Sequence, residues 1–450
     1  SYLPDETIYQ DDIVKYNNKD KIKTKGLQTG TKLRVLTTFD LITNITVYDV
    51  KFRVIYVKSE NDYLISTDIV QSKLDFTGAV EKTDTSHSKG STNVDTEDLF
   101  TYDHMSRLTK HTQELDDSGT IEVIAENDYD GLGQLESKGV GGVSSNNNRL
   151  QDIDYAYNIR GWLKEINDVS NLGDKLFSFK INYNDPVEGY HYEDPLYNGN
   201  ISQTIWKTAN DNTKRGYAYQ YDDLNRILKG TSTKGETLMS GDAYNIWGID
   251  YDKNGNIGSI TRNTRYSGAI TKMDELYYTY DSGNKLLKVR EASTTSAKND
   301  GFIDSTVDDQ DYWYDANGNM TKDDNKGITS ISYNHLNLPT SVSINGHGHN
   351  GSISYFYDAT GVKLKKIVSG TASGTTEYAG NYVYENSSLK FFNHSEGYFD
   401  VTGVVSGNIT GDYVYQYKDH LGNVRLSYSD GNGDGTITVS SDPNLTEILE

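Results

Sequence analysis

The sequence predicts an all-β fold assembled from antiparallel β-hairpins, and three observations carry that prediction. Apolar and polar residues alternate, as in Ile331-Ser332-Tyr333 and Ile353-Ser354-Tyr355-Phe356-Tyr357, and seldom recur at the i, i+3, i+4, i+7 spacing of a helix. Proline supplies only 5 of 450 residues while glycine supplies 41, so turns fall to Gly, Asn and Asp. One unit also recurs along the chain: a strand ending in Tyr, then Asp or Asn, a short turn, Gly or Asn, and an apolar residue opening the next strand.

The clearest copies are Tyr251-Asp252-Lys253-Asn254-Gly255-Asn256-Ile257 and Tyr314-Asp315-Ala316-Asn317-Gly318-Asn319-Met320. Aligned on the acid or amide there are twelve, anchored at Asp49, Asp75, Asp103, Asp130, Asn158, Asp222, Asp252, Asp281, Asp315, Asn334, Asp358 and Asp419. Ten have Tyr just before the anchor, ten have Gly or Asn three residues after it, and ten have an aliphatic residue or Met five after it. Each column has a mechanical reason. An Asp opening a type I turn accepts a hydrogen bond from the backbone two residues on, and Gly or Asn at the fourth position tolerates the positive φ of the bulge that closes a hairpin. Tyr and the aliphatic residue then face each other across the strands, a pairing worth on the order of 0.2–1 kcal/mol. A lone hairpin cannot bury its face, so neighbours must stack. The anchors mostly lie 24 to 30 residues apart, and gaps of 64 (Asn158 to Asp222) and 61 (Asp358 to Asp419) each leave room for a degenerate unit. Stretches rich in Ser, Thr, Gly, Asn and Asp at 82–97, 136–149, 230–241, 291–309 and 368–376 read as exposed loops between hairpins, without a clean domain boundary.

Composition narrows the function classes. Lys and Arg number 43 against 65 Asp and Glu, a formal charge of −22 that disfavours nucleic acid and anionic membrane surfaces as partners. No stretch approaches the roughly 18 apolar residues of a spanning helix, so membrane insertion is not expected. Cysteine is absent, which removes disulfides, thiolate catalysis and cysteine metal sites. Although only 35% of residues are hydrophobic, 36 Tyr, 11 Phe and 4 Trp supply the surface a folded protein buries. Residues 1–10 lack the profile of a signal peptide, and the chain reads as a piece of a longer polypeptide.

The Tyr-Asp hairpins resemble the YD repeats of the RHS (rearrangement hotspot) family, over residues 27–449. The most specific segment is Tyr417-Lys418-Asp419-His420-Leu421-Gly422-Asn423-Val424-Arg425-Leu426, which is similar to the DHLGNxR signature near the end of RHS repeat regions through Asp419, His420, Leu421, Gly422, Asn423 and Arg425. Residues 31–49, 197–212 and 334–342 resemble the branch of the family exported through type 9 secretion. The resemblance implies an antiparallel ribbon wound into a β-spiral, a partial hollow shell that encloses or presents a C-terminal toxin or effector. Residues 1–26 would be an N-terminal extension, 27–429 the YD-repeat spiral, and 430–450 an acidic loop opening a C-terminal core region. The implied role is structural and non-enzymatic, the location extracellular or at the bacterial cell surface. The implied partners are the chain's own toxin or effector segment beyond Glu450 and the secretion machinery. Two other classes stand beside it: a cell-surface adhesin or glycan-binding protein, and a carboxylate-based hydrolase.

Few motifs point to chemistry. Gly346-His347-Gly348-His349-Asn350-Gly351 satisfies G-x-G-x-x-G, but strand-like residues follow where a dinucleotide site needs a helix, and His347 and His349 lack a third metal ligand nearby. A hairpin tip is the better reading. Residues 430–437, Asp-Gly-Asn-Gly-Asp-Gly-Thr-Ile, place Asp430, Asn432, Asp434 and the carbonyl of Thr436 at positions 1, 3, 5 and 7 of a calcium loop, with glycine at 6. The twelfth position is Ser441, one residue before Asp442, so a plain acidic turn competes with calcium as the reading. No metalloprotease, serine-hydrolase or P-loop motif occurs, and no catalytic residue is named. Trp162, Trp206, Trp247 and Trp313 fall outside the repeat register and read as core or seam.

Overall fold

A computed structural model describes residues 26–437 other than 146–147, 187–194, 237, 241–242, 306–308 and 406–407. Nearly all of it is antiparallel β-structure: thirty-two strands and one short 3-10 helix, Ser296–Asp300, among the described residues. The N-terminal extension and the calcium loop's positions 441 and 442 lie outside these residues.

All twelve anchors form the same corner. At Asp315 the backbone N–H donates to the Asn319 carbonyl (2.8 Å), Gly318 N–H donates back to the Asp315 carbonyl (3.1 Å), and carboxylate Oδ1 accepts from Asn317 and Asn319 N–H, both at 2.9 Å. At Tyr251-Asp252 the same bonds recur, with Gly255 at φ +89°. Every corner holds its fourth residue in the left-handed region, including Phe52 (φ 66°) and Ser106 (φ 61°), the two that are neither Gly nor Asn. Each corner is also a bulge, after which the residue preceding the anchor pairs with the residue five past it, as in Tyr314 with Met320 and Tyr251 with Ile257.

Strands pair with their sequence neighbours almost throughout, giving a ribbon with corners along one rim and hairpin tips along the other. One sheet has 20 strands, from Gly30–Arg34 to Leu286–Glu291, and the other has 12, from Tyr312–Tyr314 to Val424–Tyr428. The first sheet bends at strand Gln151–Tyr157, which pairs with Leu135–Val140 along its first half and with Leu163–Ile166 along its second. Asp311 joins the two sheets: its N–H donates to the Leu287 carbonyl (2.8 Å) and its carboxylate accepts from Val289 N–H (2.9 Å).

The repeat tyrosines bind the ribbon lengthwise. Each hydroxyl reaches the carbonyl of the residue that opens the strand after the preceding corner: Tyr102 to Val80 (2.9 Å), Tyr129 to Leu108 (2.9 Å), Tyr251 to Ile227 (2.7 Å), Tyr314 to Leu286 (2.8 Å) and Tyr357 to Pro339 (3.0 Å). This rule exposes the degenerate unit in the first long gap. Tyr183 donates to the Leu163 carbonyl (3.2 Å) in the same fashion, and Tyr221 then reaches Ile201 (2.9 Å). In the second gap two-residue turns replace the corner, such as Asn386-Ser387 (φ 50° and 70°) between Glu385 and Ser388.

Three expectations need correction. Residues 82–97 are not a loop: they lie in the paired strands Val80–Lys89 and Thr92–Tyr102, and most of 368–376 is likewise strand. Ser and Thr read as loop formers by composition, yet on a pleated surface their short β-compatible side chains pair across strands. Trp247 is exposed rather than core, with the Lys272 ammonium 6.0 Å from its ring centre. The tip at His347-Gly348 is a two-residue turn between Gly346 and His349, as its sequence suggests.

Candidate functional site

The ribbon coils back on itself, and the seam between its first and last turns holds most of the buried apolar mass. Val35, Ile42, Leu64 and Val94 of the first turn pack with Leu364, Tyr382, Tyr384, Phe392, Phe399 and Ile409 of the last. Farther along, Val140, Leu150, Ile153, Ile166, Phe177 and Phe179 pack with Tyr415, Tyr417, Leu426 and Tyr428. Between residues 215 and 345 the corresponding cluster is small, centred on Leu276, Val289 and Tyr312. The core therefore lies where turns stack rather than at one centre.

Polar contacts set the register of the seam. Tyr384 hydroxyl meets His87 Nε2 at 2.7 Å while His87 Nδ1 meets Asp68 at 2.6 Å, and the His87 ring stacks 3.7 Å from that of Tyr382. Ser395 Oγ lies 3.3 Å from His111 Nδ1, whose Nε2 is 2.7 Å from Asp98. Tyr413 donates to Gln113 (3.1 Å), Tyr415 to Glu122 (2.7 Å) and Tyr417 to Gln151 (2.8 Å), and Lys138 pairs with Glu396 at 2.8 Å. The partners are 258 to 300 residues apart, which is the length of ribbon in one turn.

The seam's low-dielectric interior shifts its titratable groups. Burial pushes Glu122 up, although the Tyr415 hydroxyl and the Gly142 N–H favour its charged form. Burial, with Glu122 close by, drives the Tyr415 phenol well above its ordinary value. His394 is lowered to about 4, first by burial and then by nearby His111.

The signature residues form the last corner and dock on this seam. Asp419 accepts from Leu421 and Asn423 N–H and from the Asn423 amide, and Arg425 Nε reaches its other oxygen at 3.0 Å. Burial opposes ionisation of Asp419, but these donors outweigh it and hold the carboxyl below its ordinary range. The His420 ring stacks 5.7 Å from Phe179 across the seam, Gly422 takes φ +82°, and Leu421 is exposed.

The calcium-loop residues lie at one mouth of the seam. A cleft of about 590 Å³ opens there between Leu115, Asp116 and Glu122 of the first turn, Phe399, Asp412 and Tyr413 of the last, and Asp430 and Asp434. Within the loop, Asp430 accepts from Asp434 N–H (3.2 Å) and Gly435 N–H (2.7 Å), Asn432 Oδ1 from Asp434 N–H (3.0 Å), and Asp434 from the Thr436 N–H and hydroxyl. The side-chain oxygens are thus gathered inward with lone pairs to spare. Among the described residues no three His, Asp or Glu groups are placed to hold an ion, so the loop as described offers two carboxylates and an amide.

Sequence reasoning locates the corners and misses the seam partners His87, His111, Gln113, Glu122 and Gln151. One signal was present: Tyr413, Tyr415 and Tyr417 fall at period two within a strand rather than at its turn end, which marks a second buried face.

No protein-family model matches the chain, and no curated protein matches it. Solved structures do. Crystal structures of TcdB2-TccC3-Cdc42 (TM-score 0.48, 13% identity, covering 91% of this chain) and of TcdB2-TccC3-TEV (TM-score 0.47, 13% identity, covering 88%) are similar to it. So is TcdB2-TccC3 without its hypervariable C-terminal region (TM-score 0.45, 12% identity, covering 86%). The chain spans about a quarter of their length, 23% in each case.

Proposed function

We propose that this chain is a wall segment of an RHS-type shell, whose work is to enclose or present a downstream toxin or effector rather than to catalyse a reaction. The observation that carries this reading is the seam, where one ribbon meets itself 258 to 300 residues later through a continuous apolar and polar interface. A ribbon that stacks turn on turn covers its exposed strand edges and surrounds space without filling it, which is what a container needs. Export to the cell exterior, through a type 9 system, fits the resemblance of residues 31–49, 197–212 and 334–342. In this reading the loop from Asp430 to Thr436 takes calcium at the shell's mouth if position 441 or 442 completes its ligands.

The test is limited proteolysis of the natural polypeptide that contains this chain together with whatever follows Glu450. A container protects the downstream segment, which then resists protease until the wall is unfolded. Digestion of that segment as fast as the isolated segment contradicts containment. Calorimetric titration with calcium, repeated on Asp434→Ala, tests the loop separately.

A further inference from the structure

We propose that the corner rim of the first turn is a docking surface for a second copy of this chain, the two rims meeting antiparallel about a twofold axis. This goes beyond containment and does not depend on it. At consecutive corners an exposed apolar side chain follows the anchor: Phe52 (56% exposed), Phe76 (87%), Met105 (65%) and Leu132 (88%). Neighbouring corners are two strands apart, about 10 Å, so the four form a row of about 30 Å. Corner geometry does not require this. The corners at Asp252 and Asp281 carry Lys253-Asn254 and Ser282-Gly283 in the equivalent places. The row is therefore local to the first turn, and apolar rows of this kind mark association surfaces.

The rim is free because the seam uses the other one. His87, Val94, Glu122 and Gln151, which meet the last turn, lie toward the tip ends of their strands.

Charge selects a second copy and its register. The corner at Asp49 carries Arg53, 2.6 Å from the Asp49 carboxylate, and Lys51, whose ammonium sits 3.9 Å from the Phe76 ring centre. The corner at Asp103 carries Arg107, 2.6 Å from its carboxylate. At Asp75 and Asp130 the anchor accepts only from backbone groups and, at Asp75, the Thr77 hydroxyl. A twofold axis between the corners at Asp75 and Asp103 sets Asp49 opposite Asp130 and Asp75 opposite Asp103, so every cation-bearing corner faces a cation-free one. Four large side chains per copy bury about 500 Å², less than the ~800 Å² per partner of a standard interface, so the dimer is weak and depends on concentration.

Sedimentation equilibrium of the 450-residue chain from about 1 to about 200 µM tests this over the range where such an interface dissociates. The weight-average mass should rise from one chain toward two. Phe76→Ser with Leu132→Ser should weaken association at least about tenfold, whereas Leu421→Ser, an exposed apolar residue on a distant corner, should leave it unchanged. A single-chain mass throughout overturns the proposal. So does association that survives the double substitution, or growth beyond two chains. As a check independent of those variants' folding, the cysteine-free background allows Phe76→Cys and Met105→Cys proteins to be mixed under oxidation. Disulfide-linked heterodimers are expected, and their absence overturns the twofold register.

Discussion

Asp419 carries the corner's logic in one side chain. Its carboxylate satisfies four donors, so Asp419→Ala should cost about 2–3 kcal/mol, since buried donors are left unpaired. Asp419→Asn keeps Oδ1 and should cost about 1 kcal/mol or less, because Asn158 and Asn334 already serve as anchors. Chemical denaturation of the two variants separates these outcomes. Ser106, held at φ 61°, offers the reverse case: Ser106→Gly should stabilise by about 0.5–1 kcal/mol, because left-handed backbone strains an L side chain. His394 sets a pH dependence. Folding holds it neutral, lowered to about 4 against 6.5 ordinarily, so its stability contribution is complete above pH 6.5. As pH falls from there toward 4 the unfolded chain takes up a proton that the folded chain refuses, and about 2–3 kcal/mol should be lost. His394→Gln should flatten that limb of the stability–pH curve. An unchanged limb would assign the loss to other groups.

At the scale of the element, the sequence makes the corners plain because their signal is local. Anchor, glycine and paired residues all lie within seven positions, and Tyr314 to Met320 is readable without knowing what surrounds it. The strands of 82–97 are illegible for the opposite reason: Thr83, Thr85 and Ser86 become strand residues only through pairing with Asp98, Thr96 and Asp95. The calcium reading stops at the same limit, because ligands beyond residue 437 fall outside the described structure. Strand crossings are similarly hidden. At Gly411 a methyl group would overlap the carbonyl oxygen of Asp400 and crowd the Phe399 ring. Gly411→Ala should therefore separate strand Gly397–Val405 from Asn408–Lys418 and cost on the order of 3–5 kcal/mol. Hydrogen exchange should show that loss first in those two strands, and uniform exchange across the ribbon would contradict the local clash.

For the whole molecule, the decisive contacts join residues hundreds of positions apart, and no local pattern encodes them. Tyr415 reads as an ordinary strand aromatic until the ribbon coils and brings Glu122 to its hydroxyl. The container reading depends on that return of the ribbon to its own first turn. Zero-length carbodiimide coupling tests it directly, because it joins only ammonium and carboxylate groups already in contact, and the seam supplies Lys138 with Glu396 at 2.8 Å and Lys89 with Glu377 at 3.0 Å. Mass spectrometry of the coupled monomer should find both isopeptide links. Links confined to adjacent strands, such as Lys82 with Glu97, would show that the ribbon does not close on itself.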